Sequence, residues 1–171
     1  MKQHFAMFAA YNHWANATVF EACGTLSHDA FVHDTGAAFG SAMRTLNHLL
    51  ATDRIWMKRF TGEGSAPTSL DAILFEQLDD LRAARQTEDR RIIDWVDRLD
   101  DDALGGTISY SPLTGQGQTV SQRLGPALAH LFNHQTHHRG QLHGILTTLG
   151  QPSPVLDLVY FQRTGEGRAF A

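Results

Sequence analysis

His134-Gln135-Thr136-His137-His138 places two imidazoles four residues apart, and the string runs on into Arg139-Gly140-Gln141. On a helix, positions i and i+4 lie one turn apart on one face. His134 and His138 can therefore grip one metal ion, as the two histidines of the helical H-E-x-x-H motif do. No glutamate follows the first histidine here, which removes the protease reading of that motif. Leu131 and Leu142 flank the pair within an apolar stripe, where an unsatisfied imidazole costs free energy. Two core histidines bonded to neighbours would meet that cost. A shared metal ion meets both needs at once and is the favoured reading.

A third ligand should come from another helix. His48 is the best placed, interior to the second long helix at the margin of its apolar arc, with a half-exposed polar residue at the core rim as the competing reading. Three imidazoles leave coordination positions open, which is a catalytic arrangement and not a closed structural one. His130 reads as an outer partner or a hydrogen-bonded core residue, and His137 as a solvent or interface residue. Asn12 and Asn16 stand on an apolar helix face, where a buried amide network is expected ahead of a role in orienting ligands. Gln141 shares the His134/His138 face, and Asp53 lies on an apolar stripe near Trp56, able to receive an imidazole N–H or pair with an arginine.

Four long helical patterns position these groups. The first covers about Lys2 to Cys23. The second covers about Gly40 to Phe60, with Asn47, Arg54 and Lys58 on its wet side. The third is expected to start after Ser69, with Asp71 in its first turn, and to reach Leu99 through a solvated stretch from Arg82 to Arg91. The fourth runs from about Ser121 to Leu149, closed by Gly150 and Pro152. Between the third and fourth, Thr107–Ser111 reads as a short strand, and Pro112 and the glycines after Asp102 favour turns. A short helix is expected within Val155–Phe161. The pattern predicts an all-α four-helix bundle with an irregular or hairpin insert between helices three and four and a short C-terminal segment, a class whose metal sites are built on facing helices.

The 171 residues suit one domain, 1–171, with 42% hydrophobic and 19% charged residues. A net charge of −4 gives no electrostatic case for nucleic acid or an anionic membrane. No apolar run approaches the roughly 18 residues of a membrane span. The single Cys23 forms no internal disulfide, and the expected location is the cytoplasm.

Tyr11-Asn12-His13-Trp14-Ala15-Asn16, Thr45-Leu46-Asn47-His48 with Asp53 and Trp56, and His134 through Gln141 resemble the DinB family, a group of damage-inducible proteins unrelated to the DNA polymerase of the same name. The resemblance runs from about Phe5 to Asp157. It implies a four-helix bundle with a divalent metal on His48, His134 and His138, and a homodimer. It also implies kinship with enzymes that use low-molecular-weight thiols, transferases and an isomerase among them.

Two functions are expected to compete. One is a metal-dependent enzyme, a thiol-dependent S-transferase or a hydrolase acting on a small electrophile, with Asp53 or His130 as the base. The other is a non-catalytic, dimeric metal-binding protein of the stress response. Zinc is the expected metal, with nickel, iron, manganese and copper also compatible. Because ligand imidazoles must be neutral, binding is expected to fail below about pH 6.

Overall fold

The computed structural model describes residues 1–113 and 117–171; Gly115, one of the expected turn residues, lies outside them. The chain runs α1 (Lys2–Cys23), α2 (His28–Val32), α3 (Ala42–Thr61), α4 (Leu78–Asp97), α5 (Asp101–Gly105), β1 (Thr107–Tyr110), β2 (Val120–Arg123), α6 (Leu124–Thr148) and α7 (Leu158–Phe161), and ends in a 3₁₀ turn over Gly167–Phe170. The fold is an all-α bundle of the four long helices α1, α3, α4 and α6. Among the described residues, no helix is long and apolar enough to cross a membrane.

Local signals set the helix ends. Ser41 caps α3 by accepting from the Arg44 N–H, and Gly62, at φ 76°, turns the chain out of it in the left-handed region. Gly150 does the same after α6, at φ 71°.

Two apolar clusters fill the bundle and reveal its directions. One joins Phe5 and Ala9 of α1 to Trp56 and Met57 of α3, Ile92 and Val96 of α4, and Leu128 and Leu131 of α6. The other joins Val19 and Phe20 of α1 to Leu46 and Leu49 of α3, Leu81 of α4, and Leu142 and Ile145 of α6. The start of α1 thus shares an end of the bundle with the start of α6 and with the ends of α3 and α4. Hence α1 runs parallel to α6, α3 parallel to α4, and the two pairs run oppositely. Each fully buried leucine contributes about 1.5–3 kcal/mol.

That topology corrects the expected start of the third long helix. The chain must return from the end of α3 to its beginning before α4 can run parallel to it. The 20 residues of α3 are about 30 Å long. A helix starting after Ser69 would leave only residues 62–69, which reach at most about 28 Å when fully extended. The connection therefore continues to Gln77, and Asp71 sits in a turn outside any helix. On the far side, Ser121 belongs to β2, which pairs antiparallel with β1, Thr107 opposite Arg123 and Tyr110 opposite Val120. Only Leu158–Phe161 of the expected tail helix is helical.

The returning segment is anchored by Asn47, which is buried and not on a wet face as its sequence position predicts. Its Oδ1 accepts from the Leu74 and Phe75 N–H groups at 2.7 and 3.0 Å, and its Nδ2 donates to the Phe75 carbonyl at 2.8 Å. Replacing it (Asn47→Ala) strands these loop groups and is expected to destabilise the fold by about 2–4 kcal/mol in urea unfolding. A loss below about 0.5 kcal/mol would show that the loop is held by other contacts.

Between the two apolar clusters lies a polar stratum to which every long helix contributes: Asn12 and Asn16 from α1, Asp53 from α3, Arg85 and Asp89 from α4, Gln135 and Arg139 from α6, all buried. The expected solvated stretch of α4 is corrected here, since Arg85, Glu88 and Asp89 all face inward. Arg85 Nη1 stands 2.8 Å from Asp53 Oδ2 and Nη2 3.0 Å from Asp89 Oδ1, close but off the linear hydrogen-bond axis. Gln135 Nε2 donates to Asp53 Oδ1 at 2.6 Å. Asn16 donates to Asp89 at 2.9 Å while its Oδ1 accepts from Arg139 at 3.0 Å, and Asn12 bridges the same two charges. The asparagines thus align their dipoles between a buried cation and a buried anion, the amide network expected for them.

Candidate metal centre

The helical spacing does what it promised on α6. His134 and His138 present their Nε2 atoms 3.0 Å apart. Across from them, α3 delivers His48, whose Nε2 lies 3.3 Å from that of His134 and 3.2 Å from that of His138. His48 is 3% exposed, so its place is inside the core and not at the rim. These three are brought together as a group able to hold a metal ion.

Their outer edges are committed elsewhere. His48 Nδ1 donates to the Leu70 carbonyl at 2.7 Å, which a carbonyl permits only if that nitrogen carries the proton. The returning segment 62–77 thus fixes the tautomer of His48 and leaves its Nε2 a bare lone pair. His138 Nδ1 donates to Gln141 Oε1 at 2.7 Å, and the amide nitrogen of Gln141 donates to His137 Nε2 at 3.2 Å. Two lone pairs and a third Nε2 therefore converge. A single proton on His134 settles one contact and leaves the other two opposed, whereas a cation settles all three. Ligand bonds of roughly 2.0–2.1 Å, at angles of about 90–110°, require nitrogens roughly 3.0–3.4 Å apart, which is the separation found.

Burial lowers the imidazole pKa values, to about 4 for His48 and about 3 for His134, where the neighbouring ring of His138 adds to the effect; His138 is lowered as well. The free site is therefore neutral well below the ordinary imidazole value. The expected loss of metal near pH 6 moves down: release is expected with a midpoint below about pH 5, as protons compete only near the depressed values. Elemental analysis after dialysis across a pH series checks this, and a midpoint at or above pH 6 would contradict it.

Phe39 stacks on His48 with ring centroids 3.9 Å apart and meets His138 edge-on at 5.4 Å, closing one side against water. The periodicity of the sequence carried no signal for Phe39 or for the Leu70 carbonyl, since both sit in irregular connections. His137 is exposed, as expected. His130 is exposed too, not a core residue, with its ring 5.8 Å from that of His134 and 5.1 Å from that of Trp56. Asp53 is taken up by Arg85 and Gln135 in the polar stratum, which leaves it unavailable as a base beside the imidazoles.

Residues 1–168 match the profile of the DinB family. The chain belongs to the DinB family. It is similar to Protein DinB of Bacillus subtilis (strain 168), 28% identical over 158 residues that cover 86% of this chain and 87% of that one. The crystal structure of a DinB-like protein from Bacillus cereus ATCC 10987 superposes with a TM-score of 0.64 at 14% identity, over 82% of this chain and 89% of the other, and so shares its fold. In this DinB member the three convergent imidazoles join α3 to α6 across the bundle, where a divalent ion is compatible with the donor set.

Proposed function

We propose that His48, His134 and His138 hold a divalent metal ion, zinc first among the candidates, and that the protein is a metal-dependent enzyme of the thiol-dependent S-transferase or hydrolase type. The observation that carries this reading is the convergence of three Nε2 atoms within 3.0–3.3 Å, with the outer nitrogens of His48 and His138 already bonded to acceptors. Three neutral imidazoles would leave a bound divalent ion its positive charge, which would lower the pKa of a thiol or water brought to it.

The chain's own residues do the remaining work. Leu70 and Gln141 hold two rings in the ligating tautomer. Phe39 excludes water from one flank. His130, next along α6 and partly desolvated, has its pKa lowered by burial and by the charge of Arg59, so it stands neutral near pH 7 and able to accept a proton.

The test uses protein purified without a His tag, loaded with zinc and given monochlorobimane with glutathione or bacillithiol. Conjugation above the metal-free rate, abolished by His134→Ala, is the expected result. A rate equal to that of the metal-free protein across the thiol panel, with metal present at one equivalent, would leave the non-catalytic stress-response reading in its place.

A further inference from the structure

Arg59 lies in the last turn of α3, with its guanidinium carbon 4.5 Å from the ring centroid of Trp56 and 4.3 Å from that of Tyr110 on β1. Two aromatic faces therefore frame the guanidinium and restrict its hydrogen bonds to its in-plane N–H edge. Among the described residues, that edge meets no hydrogen-bond acceptor, and no carboxylate lies within ion-pairing distance of it. Arg54 on the same helix pairs with Glu88 at 3.7 Å, and Arg85 opposite is shared by Asp53 and Asp89. Arg59 is half-buried, so it is partly stripped of water and still reachable.

This cation is joined to the histidine cluster by an unbroken series of rings. His138 meets His134 at 4.2 Å, His134 meets His130 at 5.8 Å, and His130 meets Trp56 at 5.1 Å, the ring on which Arg59 rests. Further out, Phe60 stacks on Trp95 at 5.0 Å with nearly parallel planes. The rings thus run from the cluster to Arg59 as a tilted series, 45–60° between successive planes, and a preorganised cation stands at its far end. A guanidinium whose edge has no partner among the described residues matches a planar carboxylate in two-point geometry.

We propose that Arg59, framed by Trp56 and Tyr110, is a subsite for a carboxylate on the small molecule that reaches the histidine cluster, with that molecule's body passing over the exposed ring of His130. Its place in catalysis rests on the metal reading above; its capacity to bind a carboxylate does not. The substrate or co-substrate class is then a carboxylate-bearing thiol or electrophile, whose charge is set apart from the reacting atom by the span from Arg59 to the cluster.

Two measurements test this and separate it from the metal reading. In the first, tryptophan emission of the metal-free protein is titrated with 4-nitrobenzoate and with 4-nitrobenzamide. The acid is expected to bind roughly tenfold or more tightly than the amide, as a charge-assisted bond to Arg59 requires. Arg59→Gln should bring the acid down to the amide's level, and Arg59→Lys should keep part of the preference. Equal affinity for acid and amide, or a preference unchanged in Arg59→Gln, overturns the proposal. An arginine that only clips the hairpin to α3 would change the thermal midpoint without touching the ratio. In the second, cobalt-loaded protein is titrated with ω-mercaptoalkanoic acids of increasing chain length and with their amides, following the thiolate-to-cobalt absorption band. A preference for the acids that peaks at one chain length and vanishes in Arg59→Gln ties the subsite to the cluster. A band of equal strength for acids and amides overturns that link while the metal site stands. Acid preference in the first experiment with no cobalt uptake in the second would preserve the Arg59 subsite and remove the metal reading.

Discussion

Replacing His134 with alanine is expected to remove tightly held metal from the protein. Two imidazoles would remain on opposite sides of a site built for three. The loss in affinity should exceed the roughly 10–100-fold that follows removal of an outer hydrogen-bond partner. His48→Ala and His138→Ala should behave the same way, because the three Nε2 atoms lie 3.0–3.3 Å from one another. Gln141→Ala, which frees only the outer edge of His138, belongs in the 10–100-fold class. His137→Ala, exposed and joined to the cluster only at the outer side of His138 and Gln141, should leave affinity near that of the parent protein. Competition against a chromophoric chelator ranks all five variants. A His134→Ala protein that still holds one equivalent of metal at parental affinity would sink the three-imidazole site.

The second large effect lies in the polar stratum. Arg85→Met removes the single cation that Asp53 and Asp89 share and leaves two carboxylates in the core without it. Breaking a buried pair from one side costs about 3–5 kcal/mol. Urea unfolding of Arg85→Met should show a loss of that size. Part of it should return when Asp53→Asn and Asp89→Asn are added, since the two stranded carboxylates are then gone while Arg139 stays buried against Asn12 and Asn16. If the single variant lost less than about 1 kcal/mol, the stratum would have to be far wetter than its burial implies.

The same stratum has a pH signature. Burial pushes the Asp53 carboxyl up to about 7, against the opposing pull of Arg85, whose one guanidinium is divided between two acids. The folded protein therefore holds this proton more tightly than the unfolded chain, in which the group titrates at its ordinary value of 3.8. Its stabilising contribution is full below pH 3.8 and is lost as pH rises through about 7. Asp53→Asn, which cannot titrate, should flatten the fall in stability across that window.

Much of this protein was legible in one dimension because the relevant geometry is local. The facing of His134 and His138 follows from helical spacing alone, and the ends of α1 and α3 follow from apolar periodicity with a capping serine or a closing glycine. Asn12 and Asn16 announced themselves by standing on an apolar face. Arg85, Glu88 and Asp89 gave the opposite signal, a charged run that periodicity assigns to solvent. Their burial depends on partners distant in the chain, with Arg85 opposite Asp53 and Asp89 opposite Asn16. Asn47 misled for the same reason, since its amide is satisfied by a segment 27 and 28 residues onward.

The sequence by itself determined the presence of the four long helices and the facing of His134 and His138 on α6, both set by spacing, and its motif offered His48 as the candidate third arm. Only the tertiary structure decided the rest. The parallel run of α3 and α4 forces an extended return across the bundle. That return carries the Leu70 carbonyl to His48 and so leaves the His48 Nε2 lone pair facing the other two rings. A hydrogen bond across 22 residues has no periodicity to betray it. It is nevertheless what turns a buried histidine into a candidate ligand.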